Sequence, residues 1–328
     1  MEQHHDRLIV ITGAAGFIGS CFVRYLNELG IQNLVLVDHL DHTEKWKNLI
    51  GKRFRDILSK EELFHWLKGR ESEIEAFVHL GACSNTMETD ASYLLENNYR
   101  FSVCLAEYAL TNGQRFVYAS SAATYGGGEN GFIDDETNLC CLKPLNPYGF
   151  SKQLFDQWVF QEGVREQLVG LKYFNVFGPN EWHKGKMASA ILRMVPRILK
   201  GEKIQLFRST DPAHFADGEQ KRDFIYVKDV VQMTYAFLLH NRGGLYNVGS
   251  GNATTWNELA SSVFHALQHE PNIEYISMPE QLIPNYQNYS CADMKKTNSV
   301  LGNDATCMNL LDSVSDYVNN YLIPGKRW

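Results

Sequence analysis

The stretch RLIVITGAAGFIGSCFVRYL, starting at Arg7, restricts the fold more than any other part of the chain. Leu8 to Thr12 read as a buried strand, and an amphipathic helix begins near Gly16. Between them, Gly13, Gly16 and Gly19 are spaced GxxGxxG. The first permits a tight turn, the second lets backbone N–H groups approach a diphosphate, and the third lets the helix pack closely on the strand. A helix N-terminus at such a turn is a ready anion site, because its first N–H groups lack intrahelical partners.

The same alternation continues for about 250 residues. NLVLVDHL, EAFVHLGA, RFVYASS, LVGLKYFNVFG and GLYNVGSG read as strands. Helical patterns cover YLLENNYRFSVCLAEYALTNG and Tyr148 to Gln161, and DFIYVKDVVQMTYAFLLHN reads as strand then helix. Between Asp38 and about Leu67 lies a basic, amphipathic stretch. Strands alternating with helices of this length imply right-handed crossovers and a parallel sheet. The expected fold is therefore α/β, a Rossmann-type doubly wound parallel sheet with a smaller mixed α/β substrate domain. Residues 1–176 are expected to form the dinucleotide-binding domain, with 225–250 and about 289–300 returning to it. Residues 177–224, 251–288 and 301–328 are expected to supply mainly the substrate domain, with helices over Met187 to Leu199, near 255–268 and near 309–322, and a short strand at KIQLFR.

Composition narrows the function classes. The 328 residues carry 31 basic and 38 acidic side chains, a net charge of −7, which disfavours a nucleic-acid binder. The seven cysteines form no CxxC pair and no cluster with histidine, so no metal site is expected and reduced thiols are. The start, MEQHHDR, is polar, and no apolar run approaches the roughly 18 residues of a membrane span. A cytoplasmic protein without membrane or nucleic-acid partners is expected.

Residues with chemistry cluster at the ends of the predicted strands. Asp38 closes the second strand, where a carboxylate would hold a ribose 2′-OH and favour NAD. Lys45, Lys47, Lys52, Arg53 and Lys60 follow and could neutralise the 2′-phosphate of NADP, or simply form a solvated face. Gly81 and Ala82 end the next strand with small residues that let a dinucleotide lie over the sheet edge. Tyr148 and Lys152 form YxxxK on a helix, placing phenol and ammonium on one face. A nearby cation favours the phenolate and lowers its pKa, so Tyr148 suits proton abstraction from an alcohol losing hydride. Ser120 and Ser121 end the preceding strand, and Ser121 can bond the reacting oxygen. Lys184, in the Gly-flanked turn EWHKGKM, is either a second acid/base or a phosphate or sugar clamp on residue chemistry alone.

These segments together resemble a known family. TGAAGFIGS, SSAATYGG and YGFSK are similar to the extended short-chain dehydrogenase/reductase superfamily. HLGACSNTMETD, LENNY, KPLNPYGFSK, YFNVFGPNEWHKGKMAS and RDFIYVKDV resemble the ADP-L-glycero-D-manno-heptose 6-epimerases over essentially the whole chain. The resemblance implies interconversion of two C6 epimers of an ADP-linked heptose for lipopolysaccharide core synthesis, with a tightly bound nicotinamide cofactor, typically NADP. It implies a homo-oligomer, usually pentameric. It implies Tyr148 as base with Lys152, Lys184 as second acid/base and Ser121 assisting. Cofactor contacts carried over are Phe17, Ile18, Asp38, His39, Lys45, Lys60, Leu80, Gly81, Ala82, Cys83, Ser84, Asn97 and Val176. Substrate contacts carried over are Asn175, Lys186, Arg193, Phe207, Arg222 and Tyr286. The chain departs from the family pattern at His39, Leu80, Lys186 and Arg193, and in a longer loop at 209–221.

The competing readings are a 4-epimerase or 4,6-dehydratase of the same fold, or a Rossmann scaffold without activity. A dehydratase needs an acid pair after the serine strand, where this chain has Ala122, Ala123 and Thr124. A scaffold would have no need of Tyr148, Lys152 and the serines together.

Overall fold

The computed structural model describes residues 7–40 and 42–328, without the side chains of 284 and 285; the polar start lies outside the described residues. Its strands are β1 (Leu8–Thr12), β2 (Leu34–Val37), β3 (Asp56–Leu58), β4 (Ile74–His79), β5 (Arg115–Ser121), β6 (Leu168–Tyr173), β7 (Asn175–Phe177), β8 (Ile204–Phe207), β9 (Lys221–Tyr226), β10 (Gly244–Val248), β11 (Ala253–Thr255) and β12 (Ile273–Ile276). Seven form one parallel sheet in the order β3-β2-β1-β4-β5-β6-β10. The α/β expectation holds, with a parallel Rossmann-type sheet and smaller sheets beside it.

Helices cover both faces of this sheet, which is why its central strands are apolar throughout rather than alternating. Ile9 and Ile11 join one buried cluster, whereas Leu8 and Val10 join another on the opposite face. The first cluster continues into Ile204, Leu206, Val263 and Tyr317, so the smaller sheets share its core. Successive connections leave β1 and β4 in opposite directions, which opens a crevice at their carboxyl ends.

One expectation needs correction and two are refined. LVGLKYFNVFG is two strands, not one. The chain leaves the large sheet after Tyr173, Phe174 N–H donates to Val248 O, and β7 pairs with β9 in a separate sheet with β11. An unbroken apolar run carries no signal for a change of partner. The basic stretch after Asp38 contains a 3-10 turn (Glu44–Leu49), edge strand β3 and a short helix (Leu63–Trp66). The pattern read as one helix over 93–113 holds a π-helical segment, Leu95–Arg100, between Ala91–Leu94 and Phe101–Thr111. Among the described residues no group of side chains forms a candidate metal site, and no helix is long and apolar enough to cross a membrane.

Behind the carboxyl end of β5 lies a fully buried ion pair. Lys172 of β6 sits 3.0 Å from Asp156 of the helix Pro147–Gln161. Asp156 also accepts from Ser120 at 2.7 Å and Tyr118 at 3.1 Å, while Lys172 donates to Thr124, whose hydroxyl donates to Ser121 O. Every charge has partners, so removing one member leaves its neighbour unpaired in a dry interior. Lys172→Met is expected to destabilise the fold by about 3–5 kcal/mol in urea unfolding. A loss below about 1 kcal/mol would show that Asp156 finds other compensation.

Candidate active site

The crevice floor is a backbone contact. Gly13 has φ of 68°, and a Cβ there would lie 2.7 Å from both N and Cα of Gly81. A Cβ on Gly19 would lie 2.1 Å from Gly13 O, so the helix Phe17–Glu28 packs directly on the turn. That helix starts after Gly16 without a side-chain cap. Phe17, Ile18 and Gly19 therefore form its first turn with N–H groups open to an anion. A cradle that only glycine leaves open, at the head of an uncapped helix, fits the diphosphate of a dinucleotide.

Asp38 stands beside this turn. Its carboxylate accepts from Ala15 N–H at 2.7 Å, His39 N–H at 2.8 Å and Lys45 Nζ at 2.9 Å. Among the five cations expected nearby, only Lys45 touches Asp38. Lys47 pairs with Glu44, Lys52 donates to Trp328 O, and Arg53 donates to Asn27 O. Lys60 turns toward the π-helical segment, donating to Asn97 at 2.6 Å and lying 4.9 Å over the Phe101 ring. His39 itself is exposed.

Leu80 through Ser84 follow β4, with all but Ser84 partly buried. Cys83 is held at both backbone groups by one side chain. Asn98 accepts from Cys83 N–H at 2.8 Å and donates to Cys83 O at 3.0 Å, and it also donates to Ser151 at 3.1 Å. The strip after β4 is thereby tied to the helix carrying Tyr148 and Lys152.

Strand alternation separates the two serines. Ser120 points to Asp156, whereas Ser121 reaches Tyr148, whose phenol it hydrogen-bonds. Burial raises the Tyr148 pKa, and the Ser121 bond opposes that rise. This corrects the expectation of a phenol drawn down by Lys152. The Lys152 ammonium donates to Ala119 O at 2.9 Å instead, and burial lowers its own pKa to about 8.

Lys184 lies on the 3-10 turn Trp182–Met187, which Gly185 kinks with φ of 53°. Its ammonium sits 5.5 Å over the ring of Phe17, the residue that opens the helix after the glycine turn. Structure thus joins Lys184 to the cradle, 167 residues away in sequence. Burial lowers the Lys184 pKa, and Glu181 opposes the change. His183 is pushed down to about 4, first by burial and then by Lys184 and Lys45, so it is a neutral ring here. Its Nδ1 accepts from Asn48 Nδ2 at 3.3 Å.

On the side of the smaller sheets, Phe207 and Tyr286 meet edge to face at 6.4 Å, and Arg222 lies 5.0 Å over the Tyr286 ring. Asn175 is exposed and Val176 partly buried on β7. Lys186 and Arg193 are exposed, and neither forms an ion pair among the described residues.

Two buried asparagines escaped the sequence reading besides Asn98. Asn48 donates to Ala15 O and Asn180 O, both at 3.1 Å, and accepts from Arg327 at 3.0 Å. Asn180, at φ of 75°, donates to Ser20 at 3.0 Å and bonds both backbone groups of Trp328. Together they lash the glycine turn to the Lys184 turn. Only Asn180, following Gly-Pro, carried a turn signal.

The chain is similar to known proteins over nearly its whole length. The model of the NAD dependent epimerase/dehydratase family matches residues 9–249. The chain belongs to the NAD dependent epimerase/dehydratase family. It is 48% identical over 323 residues, 96% of this chain and 98% of the relative, to ADP-L-glycero-D-manno-heptose-6-epimerase of Nitratidesulfovibrio vulgaris. The crystal structure of the Helicobacter pylori protein of that name is 28% identical, with a TM-score of 0.77 over 96% of each chain. MoeE5 in complex with UDP-glucuronic acid and NAD is 26% identical, with a TM-score of 0.73 over 95% of this chain and 97% of its own.

Beneath the crevice of this epimerase/dehydratase fold runs a directional hydrogen-bond chain. Gly81 N–H donates to Thr12 Oγ1 at 3.0 Å, and Thr12 lies 2.6 Å from His79 Nδ1. His79 Nε2 lies 2.8 Å from Ser102, whose hydroxyl donates to Asn98 O. With Ser102 donating onward, His79 must donate from Nε2 and accept from Thr12 at Nδ1, which is the neutral ring. Burial, followed by Lys152 and Lys60, pushes its pKa down to about 3. The unfolded ring titrates near 6.5, so between these values the unfolded state binds the extra proton and stability falls as pH falls. His183 acts with the same sign. The urea midpoint is expected to fall from pH 6.5 toward 4, and more gently in His79→Gln. An identical slope in the two proteins would place the acid sensitivity elsewhere.

Proposed function

We propose that this chain is an ADP-L-glycero-D-manno-heptose 6-epimerase, interconverting ADP-D-glycero- and ADP-L-glycero-β-D-manno-heptose by transient oxidation at C6 and return of the hydride to the opposite face. The observation that carries the reading is Lys184. It is a desolvated ammonium without an ion pair among the described residues, on an element separate from Tyr148, against the helix that opens the glycine cradle. Near full-length relatives with this activity's name support it.

A bound nicotinamide supplies the acceptor and donor of hydride and, when oxidised, a positive charge that opposes the burial of the Tyr148 phenol. The residues proposed to hold it are Gly13, Gly16, Phe17, Ile18 and Gly19, the strip Leu80 to Ser84, and Asp38, His39, Lys45, Lys60, Asn97, Lys152 and Val176. NADP is the proposed form. Lys45 neutralises Asp38, so that carboxylate no longer repels a 2′-phosphate.

Rotation of a 6-ketone about its bond to the ring moves the carbonyl oxygen from one place to another. Proton transfer operates only within hydrogen-bond reach, so two oxygen positions want two groups. Tyr148 serves one position, with Ser121 bonding the same oxygen, and Lys184 serves the other. Asn175, Lys186, Arg193, Phe207, Arg222 and Tyr286 are the proposed substrate contacts, with Phe207, Arg222 and Tyr286 already gathered. Residues 177–224, 251–288 and 301–328 are proposed as the main substrate lobe.

Purified protein incubated with ADP-D-glycero-D-manno-heptose in D2O is expected to invert C6 without deuterium entering there, followed by NMR. Tyr148→Phe and Lys184→Met are each expected to slow inversion by about 10²–10⁴-fold with the fold intact. Inversion near the normal rate in Lys184→Met would remove it as the second base, and no inversion by the wild type would reject the substrate. The same protein is expected to release one NADP per subunit on denaturation and to have the mass of a homo-oligomer, the homopentamer being the proposed form. Release of NAD, or a monomeric mass, would overturn those two assignments.

A further inference from the structure

We infer that Glu181 is the positioning residue of the second proton-transfer group, clipping shut the turn that carries Lys184 with a carboxylate that forms no ion pair with the lysine. This rests on the reading of Lys184 as an acid/base.

Glu181 is 1% exposed, rare for a carboxylate with no cationic partner among the described residues. One oxygen accepts from Ser189 N–H at 2.6 Å, and the other accepts from Ser189 Oγ at 2.5 Å and Tyr317 OH at 2.8 Å. Ser189 precedes the helix Ala190–Leu199, and Tyr317 is fully buried at the end of Leu310–Tyr317. The carboxylate therefore joins chain positions 181 and 189 and anchors both to the core. Inside this closed loop, Lys184 N–H donates to Glu181 O at 2.9 Å and Ala188 N–H to Gly185 O at 3.2 Å. The lysine is carried on a turn fixed at each end.

Ser189 N–H can only donate, so the oxygen it meets must accept, and the two hydroxyls at the other oxygen can stabilise the carboxylate by donating to it. Burial raises the Glu181 pKa, while these bonds and Lys184 pull it down. The consequence for Lys184 follows from charge. A direct salt bridge would hold that ammonium protonated, and burial without a counter-charge would strip it. A carboxylate bound to neutral donors and acting through space gives a group that can both take and give a proton. An epimerase working in two directions needs that of one residue.

Other charges around the turn are already committed or solvent-exposed. Lys45 pairs with Asp38, and Arg327 lies 5.2 Å over Trp182 and bonds Asn48. His183 is neutral and Lys186 is exposed.

Two variants separate charge from position. Glu181→Gln keeps the shape and an acceptor but removes the charge. The pH at which Lys184 becomes reactive toward an amine-acylating reagent, read by peptide mass on the folded holoenzyme, is expected to move to lower pH. The limb of the epimerisation profile that disappears in Lys184→Met should move with it, with KM changed less than about twofold. Glu181→Asp keeps the charge but shortens the clip, so Lys184 should titrate as in the wild type while kcat falls about tenfold or more. If Glu181→Gln does not fold, Tyr317→Phe replaces it, with kcat expected to fall at unchanged KM. Unmoved Lys184 titration in a folded Glu181→Gln protein would leave Glu181 a brace without influence on the base. That failure is distinct from an active Lys184→Met, which would sink the underlying reading.

Discussion

Gly13 and Gly81 touch backbone to backbone, and the rest of the site is arranged around that contact. β1 and β4 are neighbours in the sheet whose following helices go to opposite faces. The gap between their carboxyl ends exists only because neither residue projects a side chain into it. Thr12 and His79, the last residues of those strands, are bonded to each other directly below, and Gly81 donates into that bond. The floor is thus rigid at the point where strand direction, helix dipole and hydrogen bonding converge.

Buried charge is handled in three ways within a short distance of one another. Lys172 and Asp156 are fully paired and surrounded by hydroxyls, a scaffold under β5. Lys152 is given a backbone carbonyl. Lys184 has an aromatic face and a carboxylate that is occupied elsewhere. Desolvation lowers the proton affinity of both Lys152 and Lys184, and the difference in partners is what the proposed holding and proton-transfer roles rest on.

The Tyr148 correction shows what spacing can say. An i,i+4 pattern correctly put Tyr148 and Lys152 on the same helix and the same face. It could not say where a flexible four-carbon stem would end, and Ala119 O, from a strand 33 residues earlier, was the acceptor within reach. Similarly, five cations after Asp38 looked interchangeable in the sequence. Their fates were divided by a 3-10 turn and an edge strand that, at three residues, is too short to announce itself.

Local patterns determined a great deal here, because strands, helices and glycine turns are set by interactions between residues close in the chain. The βαβ alternation, the glycine cradle, the serine strand end and the YxxxK helix were all readable in that way. Tertiary structure decided what depends on distant partners. It moved β7 to a second sheet, used Asn48, Asn98 and Asn180 to bind loops together, and set Lys184 over Phe17. None of those contacts has a period or a spacing, since each is selected by the packing of the whole chain and not by its neighbours in sequence.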